Sequence, residues 1–330
     1  MNILIHFLSF HKKWHKIYIM NNFKYSLDNK RYHTFNYYLK SHYKQKVAKV
    51  IIDGHFSCPN RDGFKGYGGC IFCSENGSGD SNLNISEDVL VQYQENKKVM
   101  DRKWPNGLYI AYFQSFSNTY GPLSKIKAMM SPFLNMDEVA EISIATRCDC
   151  LNDETIDYLN SITNIKPIWI ELGLQTSNDL TGKLINRCYS FEDFKKTLDK
   201  LNKTNIKTCV HIINGLPYET KKDMLKTIKD INHLDFDAIK IHMLHILKNT
   251  KLEKMYEEKP FPILSREEYI ELVVKQLELL RPEVVIERLT GDPIKDELIE
   301  PSWVLNKTTI LNDIDKLMAK LDTYQGKYYE

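Results

Sequence analysis

The feature that most constrains the fold of this chain is a regular alternation of short apolar runs with longer amphipathic segments, which begins near residue 47. The short runs are rich in β-branched residues and predict buried strands. Seven segments have this character: 47–53, 108–114, 139–146, 168–175, 207–214, 238–246 and 284–289. The segments between them carry apolar residues at helical spacing and lie at 86–103, 122–134, 153–162, 191–204, 219–233 and 265–280.

Two of the helical segments begin with a capping signal, Thr220 with Asp223 and Ser265 with Glu268. Nearly continuous apolar strands, each followed by a helix, predict an α/β fold with a parallel sheet and right-handed crossovers. Six such units predict a partial (β/α)6 TIM-like barrel, and a doubly wound open sheet is the alternative. In a barrel the chemistry lies on the loops at the C-terminal ends of the strands.

Length and charge narrow the class of protein. The 330 residues can bury the core of a large α/β domain. With 45 basic and 43 acidic residues the formal net charge is +2, so no overall field attracts the chain to nucleic acid or membrane. Seven cysteines, unevenly scattered, favour reduced thiols in the cytoplasm over a disulfide framework. We expect no export signal and no membrane partner, and Met20 is a candidate start that would make residues 1–19 an appended tail.

The loop after the first predicted strand carries three cysteines among seven glycines. Cys58, Cys70 and Cys73 form a Cys-x11-Cys-x2-Cys array. Glycines let the backbone fold closely around a bulky group and direct amide N–H donors toward it. Three thiols without a fourth cysteine nearby suit an iron–sulfur cluster in which one iron stays open for a cofactor or substrate. A zinc site completed by His55 and a set of unrelated core thiols are the alternatives.

Together with this loop, three further segments make the chain similar to the YhcC/YtqA-type radical S-adenosylmethionine (SAM) proteins over residues 23–322. They are KRYHTFNYYL at 30–39, FQSFSNTY at 113–120 and RLTGDP at 288–293. The resemblance includes the wide spacing between the first two cysteines. It implies a core similar to those of Elp3 and oxygen-independent coproporphyrinogen oxidase. It also implies an enzyme with two cofactors, a 4Fe-4S cluster held by the three cysteines and SAM bound to the open iron.

The resemblance assigns SAM contacts to polar residues near the ends of the predicted strands. The residues expected to bind SAM are Gln114, Ser115, Arg147, Asp149, Gln175 and Arg187. A guanidinium such as that of Arg187 matches the fork of a carboxylate. His211 stands where related enzymes carry an acidic residue that contacts the ribose. Glu171 lies inside an apolar strand, where an unpaired carboxylate is costly, so we expect it to face the barrel lumen or SAM, with a structural ion pair as the alternative.

The remaining thiols and several other polar residues have a purely structural interpretation beside a functional one. We interpret four thiols as small buried hydrophobes rather than ligands: Cys148, Cys150, Cys188 and Cys209. His242 and His245 face a substrate across the barrel mouth in one interpretation and are hydrogen-bonded core histidines in the other. Asp292 and Trp303 close over the substrate in one interpretation, and are a turn residue and a core aromatic in the other.

The resemblance also implies a reaction and its partners. An electron from a reductant protein of the flavodoxin or ferredoxin type would enter SAM through the cluster, and the resulting 5'-deoxyadenosyl radical would abstract hydrogen from the substrate. The implied substrate is tRNA, in which a 5-carboxymethylaminomethyl side chain on the wobble uridine becomes aminomethyl. Segment 24–49 mixes cations with aromatic rings, which suit phosphates and unstacked bases. A helix packed on the barrel by its rings is the alternative.

The sequence leaves two other functions open. One is a non-catalytic zinc module with an RNA or partner surface, and the other is the same radical chemistry on a small metabolite or a tetrapyrrole. We expect three parts in the chain: an N-terminal extension with the basic-aromatic helical segment (1–46), a radical SAM core (47–250) and a C-terminal segment that closes the barrel (251–330).

Overall fold

The computed structural model of the protein describes residues 23–26, 28–75, 77, 86 and 88–329, so the tail predicted at residues 1–19 lies outside the described part. The strands among these residues are β1 Val47–Ile52, β2 Leu108–Phe113, β3 Val139–Thr146, β4 Ile168–Gln175, β5 Lys207–Asn214, β6 Ala238–Met243, β7 Ile246–Leu247, β8 Val285–Arg288 and β9 Leu298–Glu300. Seven of them form one sheet in the order β1-β2-β3-β4-β5-β6-β8. All of its neighbours pair in parallel, whereas β7 and β9 form a separate antiparallel pair.

The helices connect and cover these strands. They are α1 Phe35–Tyr43, α2 Val89–Lys103, α3 Leu123–Leu134, α4 Asp153–Ile162, α5 Asp179–Leu184, α6 Phe191–Leu201, α7 Lys221–Asn232, α8 Lys251–Glu258, α9 Arg266–Leu279 and α10 Lys307–Lys320. Both predicted capping boxes are present, at the starts of α7 and α9. None of these described helices combines the length and apolar character that crossing a bilayer requires.

The predicted fold class is confirmed: the sheet is a curled parallel half-barrel of the TIM type. Its curvature is visible in a contact between its two edges, because Nζ of Lys49 on β1 lies 2.6 Å from Oε2 of Glu287 on β8. Backbone pairing adds a second link at the same edge, since the amide of Ile286 donates to the carbonyl of His33 at 2.7 Å, just before α1. The lumen is therefore enclosed although β1 and β8 do not pair with each other.

The N-terminal end of the barrel is closed by α1. Tyr38 and Leu39 of this helix are buried against residues at the starts of the strands, and the rings of Tyr38 and Trp169 meet edge to face at 5.7 Å. Phe35 packs against the same Trp169 ring at 6.4 Å. The aromatic rings of this part of segment 24–49 thus pack on the barrel, as the alternative interpretation held, and they do not form an open platform for bases.

Above this apolar plug, every strand of the sheet contributes a polar side chain to one layer across the lumen. The layer consists of Lys49, Tyr112, Ser143, Glu171, His211, Lys240 and Glu287. In barrels of this type the inward-pointing side chains of alternate strands stack in layers, and these side chains are usually apolar. The charged layer separates the closed end of the lumen from the open, C-terminal end.

Candidate active site

Three cysteines of one loop line a cavity at the C-terminal ends of the strands. Cys58, Cys70 and Cys73 follow β1 and share this cavity, of about 270 Å³, with strand-end residues of β2, β3, β4, β5, β6 and β8. Among the described residues, no three His, Cys, Asp or Glu side chains converge closely enough to hold a single metal ion. Thiols distributed around one cavity suit a larger group with several metal atoms.

The two residues after Pro59 fasten the loop that carries these thiols. The Nδ2 amide of Asn60 lies 3.7 Å from the sulfur of Cys70, and its Oδ1 accepts from the Cys188 thiol at 2.9 Å. The guanidinium of Arg61 lies 3.9 Å from the sulfur of Cys73 and donates to the carbonyl of Glu75 at 2.8 Å. These donors near sulfur would stabilise thiolates. Sequence reasoning did not single out Asn60 and Arg61, although their places inside the cysteine loop were a signal.

Glycine is required where the loop doubles back on itself. A Cβ at Gly66 would lie 2.3 Å from Oδ1 of Asn60 and 2.9 Å from the sulfur of Cys188. Gly69 has a φ of +76°, in the left-handed region that favours glycine, and a Cβ there would meet the side chain of Arg61 at 3.1 Å. The close approach of the backbone to Asn60 and Arg61 therefore depends on residues without a side chain.

The charges around the thiols favour an anionic group. The pKa of Cys70 is raised to about 12, mainly by burial and also by Cys73 and Cys58, although the Arg147 cation acts to lower it. Burial also raises the pKa of Cys73, against the lowering effect of Arg61. The thiols of Cys70 and Cys73 are thus protonated at neutral pH, and metal binding must displace their protons. Three thiols lining one cavity, with cations beside them, fit a four-iron four-sulfur cluster.

Five of the eight residues predicted to bind SAM line the same cavity: Gln114, Arg147, Glu171, Gln175 and His211. Gln175 lies where the pairing of β4 with β5 shifts register, and its φ of +64° is unusual for a residue with a side chain. Strain of this kind is often found at functional sites. Tyr189, which sequence reasoning missed, lies close to it: its hydroxyl is 3.2 Å from Oε1 of Gln175, and its ring centre is 4.8 Å from the guanidinium carbon of Arg147.

The other three predicted SAM contacts do not line the cavity: Ser115, Asp149 and Arg187. Asp149 holds the Arg147 guanidinium through two hydrogen bonds, of 2.9 and 2.8 Å. Arg187 is only 1% exposed, and it donates to the carbonyls of Leu174 and Thr176 at 2.9 and 2.6 Å and to Asp179 at 2.7 Å. In this structure Arg187 holds the end of β4 and the start of α5 in place.

Glu171 belongs to the charged layer that forms the floor of the cavity. Its Oε1 accepts from Lys49 and Ser143, each at 2.6 Å, and its Oε2 accepts from Lys240 and from His211, the latter at 3.0 Å. Burial raises the pKa of this carboxyl, but the two lysines overcome that effect and lower it well below its usual range. The structure therefore shows the ion pair that was the alternative for Glu171, at the edge of the cavity.

The wall on the β6 and β8 side carries a second group of polar residues. His242 and His245 line it from β6 and the turn that follows, and Arg288 and Asp292 line it from β8 and its loop. The rings of His211 and His242 lie 5.5 Å apart. Burial lowers the pKa of both His242 and His245, the latter to about 4, so these imidazoles are neutral at pH 7.

The remaining thiols do not line this cavity. Cys148, Cys150 and Cys209 are buried, as predicted, whereas Cys188 is exposed, so its prediction as a buried hydrophobe is wrong. Its backbone has a φ of +67°, and its thiol donates to Oδ1 of Asn60 at 2.9 Å. Trp303 packs against Tyr269, with ring centres 5.4 Å apart, and donates to the carbonyl of Leu264 at 3.1 Å, which agrees with a core aromatic.

A parallel half-barrel with three loop cysteines at its C-terminal mouth defines a radical SAM enzyme. Residues 63–231 match the Radical SAM superfamily, and residues 236–320 match the Radical SAM C-terminal domain. The chain belongs to the radical SAM superfamily, and its cofactors are a 4Fe-4S cluster and SAM. The non-catalytic zinc module is therefore not retained.

Within this superfamily the chain is similar to two bacterial proteins over most of its length. It is 45% identical to YtqA of Bacillus subtilis (strain 168) over 310 residues, which is 94% of this chain and 96% of YtqA. It is 30% identical to YhcC of Escherichia coli (strain K12) over 281 residues, 85% of this chain and 90% of YhcC. The resemblance to this family that the sequence motifs indicated is confirmed.

Solved structures support the fold. The archaeal Elp3 of Methanocaldococcus infernus, with an N-terminal deletion, superposes with a TM-score of 0.65 at 17% identity, covering 85% of this chain and 64% of the Elp3 chain. Methylornithine synthase superposes with a TM-score of 0.51 at 11% identity, covering 76% and 67%. The chain thus spans a little under two thirds of the Elp3 chain, and at these identities the likeness concerns the fold.

Proposed function

We propose that this enzyme modifies tRNA, converting a 5-carboxymethylaminomethyl side chain on the wobble uridine to aminomethyl. The two carbons of the carboxymethyl group would leave as glyoxylate: the N–CH2 unit would give up two electrons, the cleavage of SAM to methionine and 5'-deoxyadenosine would take them up, and water would hydrolyse the resulting C=N bond. The observation that carries the proposal is the cavity itself, in which the cysteine loop faces a wall of imidazoles and a guanidinium suited to a polar, charged side chain. A tRNA uridine(34) acetyltransferase of Methanocaldococcus infernus is 29% identical to this chain over 137 residues, 40% of this chain and 25% of the acetyltransferase. This relative supports a uridine in tRNA as the target.

The outer surface of the cysteine loop supports a nucleic-acid substrate. Phe64 and Tyr67 are 73% and 76% exposed on this loop, although large aromatic rings usually find apolar cover. Lys65 lies beside the Phe64 ring, and Nζ of Lys251 donates to the carbonyl of Tyr67 at 3.0 Å. Flat rings and cations together suit unstacked bases and phosphates. They stand at the catalytic end of the barrel, unlike α1 at the closed end.

When bound, the cluster supplies the electron that cleaves SAM and so generates the radical that abstracts hydrogen from the substrate. Cys58, Cys70 and Cys73 would hold it. Arg147, oriented by Asp149, places a cation beside these thiols and is available for the carboxylate of SAM.

The electron itself must come from outside the chain. We propose a reductant protein of the flavodoxin or ferredoxin type. Flavodoxin with its reductase should then replace dithionite in supporting turnover, whereas a requirement for a different donor would contradict this part of the proposal.

The experiment is a reconstitution with a defined RNA. The protein is purified without oxygen, loaded with iron and sulfide, reduced, and incubated with SAM and tRNA that carries 5-carboxymethylaminomethyluridine. We expect 5'-deoxyadenosine to form and mass spectrometry of the digested tRNA to show 5-aminomethyluridine. SAM cleavage without any change in the tRNA would contradict the tRNA substrate and favour a small metabolite or a tetrapyrrole.

A further inference from the structure

We infer that the β6–β8 wall of the cavity is a carboxylate-binding subsite, formed by Arg288, His242 and His245, that holds the anionic end of the substrate side chain. The inference rests on the proposed function and adds to it, because it names the group on the substrate that the enzyme recognises. The three residues lie away from the three cysteines in sequence and on the opposite edge of the sheet from β1, yet they line the same cavity.

A bulge in the sheet places Arg288 in the cavity. The pairing of β6 with β8 shifts register so that Ile239 lies opposite Ile286 and Lys240 lies opposite Arg288, which leaves Glu287 as an extra residue. Bulges of this kind change the direction of side chains next to active sites. Glu287 joins the charged layer, with Oε2 at 2.6 Å from Nζ of Lys49, and its neighbour Arg288 lines the cavity above that layer.

The Arg288 guanidinium has donors to spare. Among the described residues its one ion pair is with Asp292, at the long distance of 3.4 Å, and Asp292 is also bound by Lys307 at 2.6 Å. By contrast Lys240, the other cation of this wall, is committed to Glu171 and to the hydroxyl of Tyr112 at 3.1 Å. A planar fork of free N–H groups matches a carboxylate.

Two neutral imidazoles flank this guanidinium. His242 lies two residues after Lys240 on β6, so both point to the same face of the sheet, with His242 one step closer to the mouth. Nε2 of His245 is buried, and none of the described residues forms a hydrogen bond with it. A buried polar atom left in this state is unfavourable, so a bound group that supplies its partner is favoured.

The RLTGDP motif leaves space for the His245 imidazole in this wall. A Cβ at Gly291 would lie 2.3 Å from Cε1 and 2.7 Å from Nε2 of His245, so a side chain at 291 would displace the imidazole. Thr290 is fully buried beneath the turn, and Asp292 lies on its cavity side. The motif therefore has a physical reason to contain glycine between the arginine and the aspartate.

Charge favours a carboxylate over a dianionic phosphate. The wall already contains the carboxylate of Asp292, so a group with two negative charges would meet more repulsion than a group with one. The SAM carboxylate would have its own cation at the cysteine end, where the positive charge of Arg147 interacts with the thiols of Cys58 and Cys70. The positive charge of Arg288 instead helps to lower the pKa of His242 and of His245. The cavity thus has two cationic ends, one for each ligand.

The test compares two ligands on two enzymes. The ligands are the nucleoside 5-carboxymethylaminomethyluridine and its neutral amide, and the enzymes are the cluster-loaded wild type with SAM and its Arg288→Gln variant. Calorimetry should show wild type binding the carboxylate roughly 30-fold more tightly than the amide. Arg288→Gln should bind the two about equally, and Arg288→Lys should recover part of the difference. A merely structural role for Arg288 would weaken both ligands and leave their ratio unchanged.

Lys307→Gln is the matched control, because it removes a cation from the same Asp292 without removing a donor from the cavity. It should keep the wild-type ratio. Wild type that binds both ligands equally, or an unchanged ratio in Arg288→Gln, overturns the subsite. The subsite is also overturned if inorganic phosphate competes for it as strongly as the carboxylate ligand. Turnover of the tRNA is measured in parallel: turnover without discrimination refutes the subsite alone, and discrimination without turnover refutes the proposed tRNA reaction alone.

Discussion

Nζ of Lys49 lies 2.6 Å from Oε2 of Glu287, so an ion pair joins the first strand of the sheet to the last across the lumen. The same ammonium lies 2.6 Å from Oε1 of Glu171. Two lysines and two glutamates balance each other in this layer, which is why charges can persist in a buried position. Removing one of them leaves an uncompensated charge on the floor of the cavity.

Glu287→Ala should therefore destabilise the apoprotein by about 3–5 kcal/mol, because Glu287 is 2% exposed and its partner Lys49 would lose a counter-ion. Urea denaturation measures the free energy of unfolding. The double variant Lys49→Met with Glu287→Leu should recover most of the loss, since it removes the pair together. Removal of the exposed pair of Lys98 and Glu95 should change little, and an equally small effect of Glu287→Ala would contradict the account of the layer.

Cys58→Ala, Cys70→Ala and Cys73→Ala should each abolish SAM cleavage and lower the iron content well below about four per chain. Iron analysis, the visible absorbance of the cluster and 5'-deoxyadenosine are measured on one preparation. Cys209→Ala is the control, because its buried thiol packs with Tyr38 and Trp169 at the closed end of the barrel and does not line the cavity. Full iron in a Cys70→Ala variant, or loss of iron in Cys209→Ala, would show that the ligand set is different.

Arg187→Gln should lower the free energy of unfolding by roughly 3 kcal/mol, because the carbonyls of Leu174, Thr176 and Tyr189 and the carboxylate of Asp179 lose their donor. The KM for SAM in the folded fraction should stay within a few-fold of the wild-type value, since the side chain lies outside the cavity lining. Urea denaturation and SAM kinetics separate the two effects. A large rise in KM with unchanged stability would instead support the SAM contact that the resemblance implied.

The apoprotein should lose stability in mild acid because of its cavity histidines. Burial lowers the pKa of His245 from 6.5 to about 4, and it also lowers the pKa of His242 and His211. Below about pH 6.5 the unfolded chain binds protons that the folded chain does not, so stability is full above this pH and falls as the pH drops toward 4. His245 alone should contribute roughly 1 kcal/mol of loss at pH 5.5.

Thermal unfolding at pH 7.5 and 5.5 checks this expectation. His245→Gln should reduce the difference in melting temperature between the two pH values. The exposed His42 provides the control, because His42→Gln removes an imidazole from outside the cavity. A pH dependence that is unchanged in His245→Gln would assign the acid sensitivity to other groups.

The sequence was sufficient for the strands and for most of the helices, because nearly continuous apolar runs between amphipathic segments leave few other folds. Six of the seven sheet strands begin at the predicted residue, and the capping pairs are where the sequence placed them. Short elements such as α5 and the pairing of β7 with β9 were missed because two to six residues carry too little periodicity to detect.

The contacts within the site were harder to predict, because the curvature of the sheet determines which side chains meet. The partners of Glu171 are Lys49 and Lys240, which are 122 and 69 residues away in sequence, and the closure of the sheet alone brings them together. The bulge that places Arg288 in the cavity has no signature in the amino-acid types on either side of it. Tyr189 was missed for the same reason, since its packing against Arg147 depends on how two loops cross.

The anchoring of the cysteine loop has a consequence for how the enzyme is made. Ile71, between two of the cluster cysteines, donates through its amide to the carbonyl of Ile185 at 3.1 Å, and its own carbonyl accepts from the amide of Leu252 at 2.9 Å. When Cys73 emerges from the ribosome, Leu252 has not yet been added to the chain. Because this part of the loop is bonded to Leu252, we expect the loop to reach its final arrangement, and iron and sulfide to be delivered to it, only after Leu252 has emerged.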